Sequence, residues 1–218
     1  MRTANSSALI RRVDRGTARV PVHPSQGGTR LEVGGKCVWK ATGFRETGPV
    51  SNVVMTGAQV VDIAEGLRMA GVRFWIFGGW GIDALVGEQT RPHHDLDLLV
   101  DAEDLPALDR WLQSNGFRRA FEWDESESLE VAASVWDTAF VCRHPDGREL
   151  DVHALQWDRD RFQLVTRDPW RLPDEPVSSG RIEGTVVPCV TVAAQLAMHR
   201  GYDLPEKHHA DLQRIHVL

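Results

Sequence analysis

An α/β (α+β) domain, helices packed on a mixed β-sheet, is the fold class this sequence predicts. Three observations carry that expectation. Apolar residues at helical spacing (Val60, Ile63, Ala64, Leu67) precede the short apolar run Phe74-Trp75-Ile76-Phe77. A second helical stretch and a second strand follow, the strand over Asp95 to Val100. The remainder switches to β-type segments and then back to helical ones, an order that suits helices layered on a mixed sheet.

The first helix should end at Gly71, a residue type suited to the left-handed cap conformation. Phe74 to Phe77 reads as a buried strand entering a tight turn at Gly78-Gly79, with a short helix over Trp80 to Val86. Asp104 reads as an N-cap with Pro106 in the first turn, Leu105, Leu108, Trp111 and Leu112 on one face, and Gly116 as the stop. Strands are expected from Ser134 to Arg143 and from Arg148 to Leu155, flanking the turn His144-Pro145-Asp146-Gly147. Residues 157–180 read as a long irregular loop. Thr185 to Val190 reads as another strand. Thr191 should cap a helix reaching about Gly201, and a last helix should cover Glu206 to Ile215.

The domain expectation is residues 53–218 as one unit that includes the C-terminal helices, preceded by an extension over residues 1–52. That extension mixes Gly, Pro, Ser, Thr and Arg around short apolar groups such as Ala8-Leu9-Ile10. It reads as disordered or loosely attached, or as an overlong gene start ahead of Met55.

Composition narrows the function classes. Hydrophobic content of 42% and charged content of 26% are those of a soluble globular protein. No apolar run approaches the roughly 20 residues needed to cross a bilayer, and the N-terminus shows no secretory pattern. Cys37, Cys142 and Cys189 are too scattered for a disulfide framework or a thiolate metal site, so the cytoplasm is the expected home. The formal charge of -6 is uneven. Residues 1–50 hold nine Lys/Arg against three Asp/Glu, leaving 16 against 28 for residues 51–218. The acidic body disfavours nucleic acid as a partner and suits a cationic small molecule.

The chemistry is expected at three carboxylates. Asp95 and Asp97 lie two residues apart on a strand and so share a face, with Leu96 and Leu98 turned the other way. Asp151 sits between Leu150 and Val152 in the same manner. On neighbouring strands the three would converge, and such a cluster calls for a cation; oxygen-only donors suit magnesium. An Asp-x-Asp pair alone is weak, because exposed strand faces commonly carry carboxylates. Gly78-Gly79 upstream makes it specific, since backbone N–H groups at a strand-to-helix turn cradle phosphate oxygens.

At this point Gly78-Gly79-Trp80-Gly81-Ile82-Asp83-Ala84-Leu85-Val86-Gly87, followed by Thr90-Arg91-Pro92-His93-His94-Asp95-Leu96-Asp97-Leu98, resembles the nucleotidyltransferase superfamily that includes DNA polymerase beta. The branch it is most similar to holds the aminoglycoside 2''-adenylyltransferases and lincosamide nucleotidyltransferases. Glu149-Leu150-Asp151-Val152-His153 matches the superfamily's third aspartate, and the tail from His199 to Leu212 is also similar to this branch. The resemblance runs from about Met55 to the C-terminus.

It implies transfer of AMP from ATP to a hydroxyl of a small molecule, an aminoglycoside- or lincosamide-like antibiotic, with release of pyrophosphate. It implies two magnesium ions on Asp95, Asp97 and Asp151, with Asp151 either completing the second ion's shell or accepting the hydroxyl proton. Gly78 and Gly79 would place the phosphates. Arg91 reads evenly as a phosphate ligand or a surface ion pair. His93 and His94 read as partners of Asp95 or as solvated loop residues, and Asp83 as a site residue or a helix-surface carboxylate. Trp80 stacks on a base or packs beneath the turn; His153 reaches the acceptor or satisfies a backbone group. Glu88, Glu122, Asp124, Glu125 and Glu127 are acidic candidates for gripping amines, the last four also reading as a solvated charge run. The late histidines His199, His208, His209 and His216 lack zinc-site spacing. The alternatives are an enzyme that transfers AMP to a protein, in a regulatory or antitoxin-like role, and a nucleotide-binding remnant without activity.

Overall fold

The computed structural model describes residues 11–13, 53–158, 161–167, 170–199 and 212–215. The first helix, α1 (Gly57–Met69), begins with a capping box. The Thr56 hydroxyl accepts the Gln59 N–H at 3.2 Å and the Gln59 side-chain oxygen accepts the Thr56 N–H at 2.9 Å. Val60, Ile63, Ala64 and Leu67 are buried as their spacing requires, and Gly71 follows the cap at φ +74°. Near the N-terminus, β1 (Arg11–Arg12) pairs antiparallel with a strand far along the chain, taken up below.

Next come β2 (Phe74–Phe77), α2 (Gly78–Val86) and β3 (Asp95–Asp101). No residue separates β2 from α2, so the glycine turn is itself the start of the helix. A short 3₁₀ turn over Ala102–Asp104 precedes α3 (Leu105–Ser114). Asp104 makes no side-chain cap there. Its carboxylate accepts instead from the Arg73 backbone N–H at 2.9 Å and from Arg73 Nε at 2.7 Å. A bidentate guanidinium partner outcompetes a helix N–H for the same carboxylate.

The β-rich middle contains β4 (Arg118–Glu122), β5 (Ser128–Val131), β6 (Ser134–Asp137), β7 (Ala139–Arg143) and β8 (Glu149–Asp158). The strand expected from Ser134 to Arg143 is therefore two. β6 joins β5 and β1 in a small three-stranded sheet, while β7 belongs to the main one. The stretch expected to be a loop, residues 157–180, contains β9 (Arg161–Leu164), β10 (Trp170–Arg171) and the start of β11 (Val177–Ile182). β12 (Thr185–Val190) and α4 (Val192–Met198) follow, the latter capped by the Thr191 hydroxyl on the Ala194 N–H. Residues 212–215 are helical. The predicted continuation to Gly201, the start of the last helix, the tail motif between His199 and Leu212 and most of the N-terminal extension lie outside the described residues.

The main sheet runs β10-β9-β8-β3-β2-β12-β11, with β7 and β4 branching from the first half of β8. β3 pairs antiparallel with β2 and parallel with β8, giving the mixed sheet expected. The two faces differ. Phe74, Ile76, Leu96, Leu98, Val100, Leu150 and Val152 join Val60, Leu67, Trp80, Leu108 and Leu112 in the larger core beneath α1, α2 and α3. On the other face Leu99, Leu155, Phe162, Leu164, Val190 and Ala194 form a smaller cluster with Trp75 and Phe77 at its margin. Trp75 and Phe77 are accordingly only half-buried.

Burial pushes the Cys142 and Cys189 thiols up to about 11. At pH 8 in the native protein both should resist a disulfide-exchange reagent and react once denaturant is added, because the neutral thiol is a poor nucleophile. The β5–β6 turn holds Ala132 and Ala133 at φ +53° and +59°. Replacing the pair with Asn-Gly should raise stability by about 1 kcal/mol, since alanine is costly in the left-handed region; urea unfolding midpoints measure it.

Candidate active site

Period-two geometry across three paired strands builds the site. In register, Phe77 of β2 lies beside Asp97 of β3, and Asp97 beside Asp151 of β8. Cross-strand partners share a face, so Asp97 and Asp151 project together. Asp95, two residues earlier and opposite Glu149, lies on the same face and is exposed. Leu96, Leu98, Leu150 and Val152, on the opposite face, are fully buried and lock the register. The carboxylates thus occupy the start of β3 and β8, at the end of β2 where the glycines begin.

α2 starts there without a side-chain cap, Phe77 being its N-cap residue. Its first N–H groups therefore face the carboxylate end with partial positive charge. Gly78 adopts φ +61°, and a Cβ on it would lie 1.9 Å from Asp97 Oδ2. A Cβ on Gly79 would lie 2.3 Å from His93 Nδ1 and 2.9 Å from an Arg91 guanidinium nitrogen. Besides leaving room for a phosphate, glycine is required here because the chain's own side chains already fill the space a Cβ would need. Gly81 is constrained likewise, by Gln195 of α4 at 2.4 Å and the Ile76 carbonyl oxygen at 2.9 Å from its hypothetical Cβ. The buried Gln195 amide donates to the Gly78 carbonyl at 3.2 Å, tying α4 to the turn.

Beneath the turn, Asp83 and His93 are both buried and meet at 2.5 Å between Oδ2 and Nε2. Asp83 Oδ1 accepts from the Thr90 N–H at 3.0 Å and the Thr90 hydroxyl at 2.6 Å. The buried Trp80 ring packs on His93 with centroids 4.8 Å apart. Asp83 is thus no helix-surface carboxylate, and His93 is turned away from Asp95. The pair braces the loop that carries Arg91. His94 is exposed and directed at the Val53 carbonyl, 3.0 Å away.

On the far side, Asp151 Oδ1 accepts the indole N–H of Trp123 at 2.8 Å and lies 3.2 Å from His153 Nε2. Burial works to lower the His153 pKa, but the charge and hydrogen bond of Asp151, with the Glu125 carboxylate, outweigh it and raise it. Phe77 presents its ring to His153 edge-on at 5.8 Å. Trp123 carries no sequence signal, since it follows a strand that the sequence did not reveal. Residues 122–127 are not a freely solvated run: Ser126 is buried and Trp123, Glu125 and Glu127 are half-buried, while Glu122 and Asp124 are exposed. Glu88 lies at the opposite end of α2, beside Arg181 and Glu183.

Among the described residues, no three His, Cys, Asp or Glu side chains form a ready-made metal cage. Asp95, Asp97 and Asp151 offer oxygen donors only, on an open sheet end facing an uncapped helix start. Such a set fits magnesium, which takes few protein carboxylates and completes its shell with water and phosphate.

A family model described as Aminoglycoside-2''-adenylyltransferase matches residues 59–215. A lincosamide resistance protein of Staphylococcus haemolyticus is 28% identical over 156 residues, covering 72% of this chain and 89% of that protein. A 2''-aminoglycoside nucleotidyltransferase of Klebsiella pneumoniae is 35% identical over 138 residues, covering 62% and 69%. Among solved structures, the lincomycin-bound lincosamide antibiotic adenylyltransferase LnuA superposes with a TM-score of 0.61 at 24% identity, over 75% of this chain and 98% of that one. ANT(2")-Ia in complex with adenylyl-2"-tobramycin gives 0.53 at 22% identity, over 74% and 87%. These two share the fold: a mixed sheet flanked by helices. With the family model spanning most of its length, this chain belongs to the aminoglycoside-2''-adenylyltransferase family and is a nucleotidyltransferase.

Proposed function

We propose that this enzyme transfers AMP from ATP to a hydroxyl of an aminoglycoside- or lincosamide-like antibiotic and releases pyrophosphate. The observation that carries the reading is the pairing of Asp97 with Asp151 directly beside Gly78, where the chain leaves no room for a side chain. Residues 53–218 are the unit we assign to this reaction.

The uncapped N–H groups of Gly78 and Gly79 receive the phosphate oxygens, and the Arg91 guanidinium beside Gly79 adds positive charge. Asp95, Asp97 and Asp151 would hold two magnesium ions. Bound there, magnesium would neutralise triphosphate charge and make the attacking hydroxyl more acidic. The acceptor hydroxyl gives its proton to Asp151 or to water, and its oxygen bonds the α-phosphorus as the bond to pyrophosphate breaks. Asp151, on the side away from the glycine turn, faces the acceptor. Trp123 lies against it there, and the Glu125 carboxylate acts on the neighbouring His153, an aromatic ring and a carboxylate suited to a molecule carrying hydroxyls and amines. The acidic body of the chain favours approach of a cation in the same way. The names of the relatives, covering lincosamide and aminoglycoside enzymes, support an antibiotic acceptor. The free thiols of Cys142 and Cys189 suit the ATP-rich, reducing cytoplasm.

Incubation with ATP and magnesium across a panel of aminoglycosides and lincosamides should yield a product heavier by one AMP, with one pyrophosphate released per product. Asp97→Ala should abolish both. Failure of every acceptor, together with no binding of magnesium-ATP, would overturn the reading; AMP found on lysate proteins with no drug modified would replace it with a protein-modifying one. Gly78→Ala should lower kcat/KM about 100-fold, because an ångström-scale displacement of the turn or of Asp97 misplaces the reacting groups; steady-state kinetics at varied ATP measure it.

A further inference from the structure

The loop that follows β4 is fixed at several points. Trp123 donates its backbone N–H to the Ala139 carbonyl at 3.1 Å, and its own carbonyl accepts from Ser126 at 3.0 Å. The buried Ser126 hydroxyl accepts from the Thr138 and Ala139 N–H groups, both at 3.1 Å. Glu127 N–H donates to the Thr138 hydroxyl at 2.8 Å, and Arg167 N–H to the Glu125 carbonyl at 2.9 Å. The Phe121 ring meets the Trp123 ring edge-on at 4.9 Å. A segment rich in acidic residues is thereby tied to β7 and to the chain beyond β9. The product of that bracing is one side-chain contact with the proposed site: the indole N–H on Asp151 Oδ1.

His153 Nε2 approaches the same oxygen, Oδ1, from the next same-face position of β8. Oδ1 thus has two nitrogen neighbours, the donating indole N–H at 2.8 Å and the imidazole Nε2 at 3.2 Å. Among the described residues Asp151 Oδ2 has no hydrogen-bond partner. The indole hydrogen bond and the imidazole beside it set the rotation of the carboxylate about its Cβ–Cγ bond. They also leave its other oxygen for the reactants. Holding an acidic ligand or base by outer contacts of this kind is how a site keeps its reacting atoms in place.

We propose that Trp123 and His153 are positioning residues that turn Asp151 so that Oδ1 is held by the protein and Oδ2 alone serves the transfer. The proposal rests on the AMP-transfer reading for its kinetic consequence, but the contact itself can be tested apart from it.

Trp123→Phe keeps an aromatic ring in the loop and deletes the N–H. It should lower kcat about 10- to 100-fold while the KM for ATP stays within about twofold and the melting temperature is unchanged, a split that loss of packing would not give. His153→Gln, whose amide retains a donor, should lose less than His153→Leu. Independently of turnover, the indole N–H resonances of the eight tryptophans can be recorded on 15N-labelled protein. The resonance missing from Trp123→Phe should move in Asp151→Asn. An unchanged kcat in a folded Trp123→Phe variant, or an indole resonance indifferent to Asp151→Asn, would overturn the proposal. Absence of turnover in the wild type with the resonance shift present would sink the enzymatic reading and leave the Trp123–Asp151 contact standing.

Discussion

Asp97 has a fixed neighbour on each side in the sheet, Phe77 across an antiparallel pairing and Asp151 across a parallel one. That double register is the constraint on which the rest depends. A slip of one residue in either pairing would exchange Leu96 or Leu150 for a carboxylate in the main core. Burying an unpaired carboxylate costs several kcal/mol, so the register is enforced by the core rather than by the site. The leucines and valines of β3 and β8 are therefore the reason that the aspartates stand together.

Placing carboxylates on one face is useful only if that face stays open. The helices α1, α2 and α3 cover the opposite face with the larger core, while among the described residues the site face carries the smaller cluster around Leu99, Phe162 and Val190. The aspartates sit at the strand ends beyond that cover. α2 begins at the same edge, so a helix start and a carboxylate pair face one space. Opposite charge tendencies there, N–H groups on one side and oxygens on the other, suit a metal–triphosphate ligand that carries both signs. Two braces hold this edge: Asp83–His93 under the glycine turn and Gln195 across it. The first shows why a polar residue of no evident role in the sequence can be deeply buried, since Thr90 and His93 together satisfy the Asp83 carboxylate.

Elements with strong local signals were legible from the sequence. α1 carries a 3.6-residue apolar stripe and a glycine stop; β3 carries alternating Asp and Leu. The β5–β6 hairpin was not legible, because its turn uses Ala132-Ala133 in a conformation that normally advertises itself through Asn or Gly. β9 and the start of β11 were hidden for a different reason. They are short, lie among polar residues and Pro, and are strands only because β8 and β12 supply the partners. Asp104 misled in a similar way: its spacing suits a cap, and only Arg73, distant in sequence, claims its carboxylate.

By itself the sequence determined the candidate carboxylates and the glycine turn. Strand parity puts Asp95 and Asp97 on one face whatever surrounds them, and paired glycines between a strand and a helix mark a place that excludes side chains. The motifs around those groups also resemble the family whose model matches residues 59–215. Only the tertiary structure decided that Asp97 abuts Asp151, that His93 belongs to Asp83 and not to Asp95, and that Trp123 reaches Asp151 Oδ1. These are contacts between segments joined by long stretches of chain or by turns without a signature. They follow from sheet register and side-chain packing, which are properties of the assembled core and are written in no single stretch of residues.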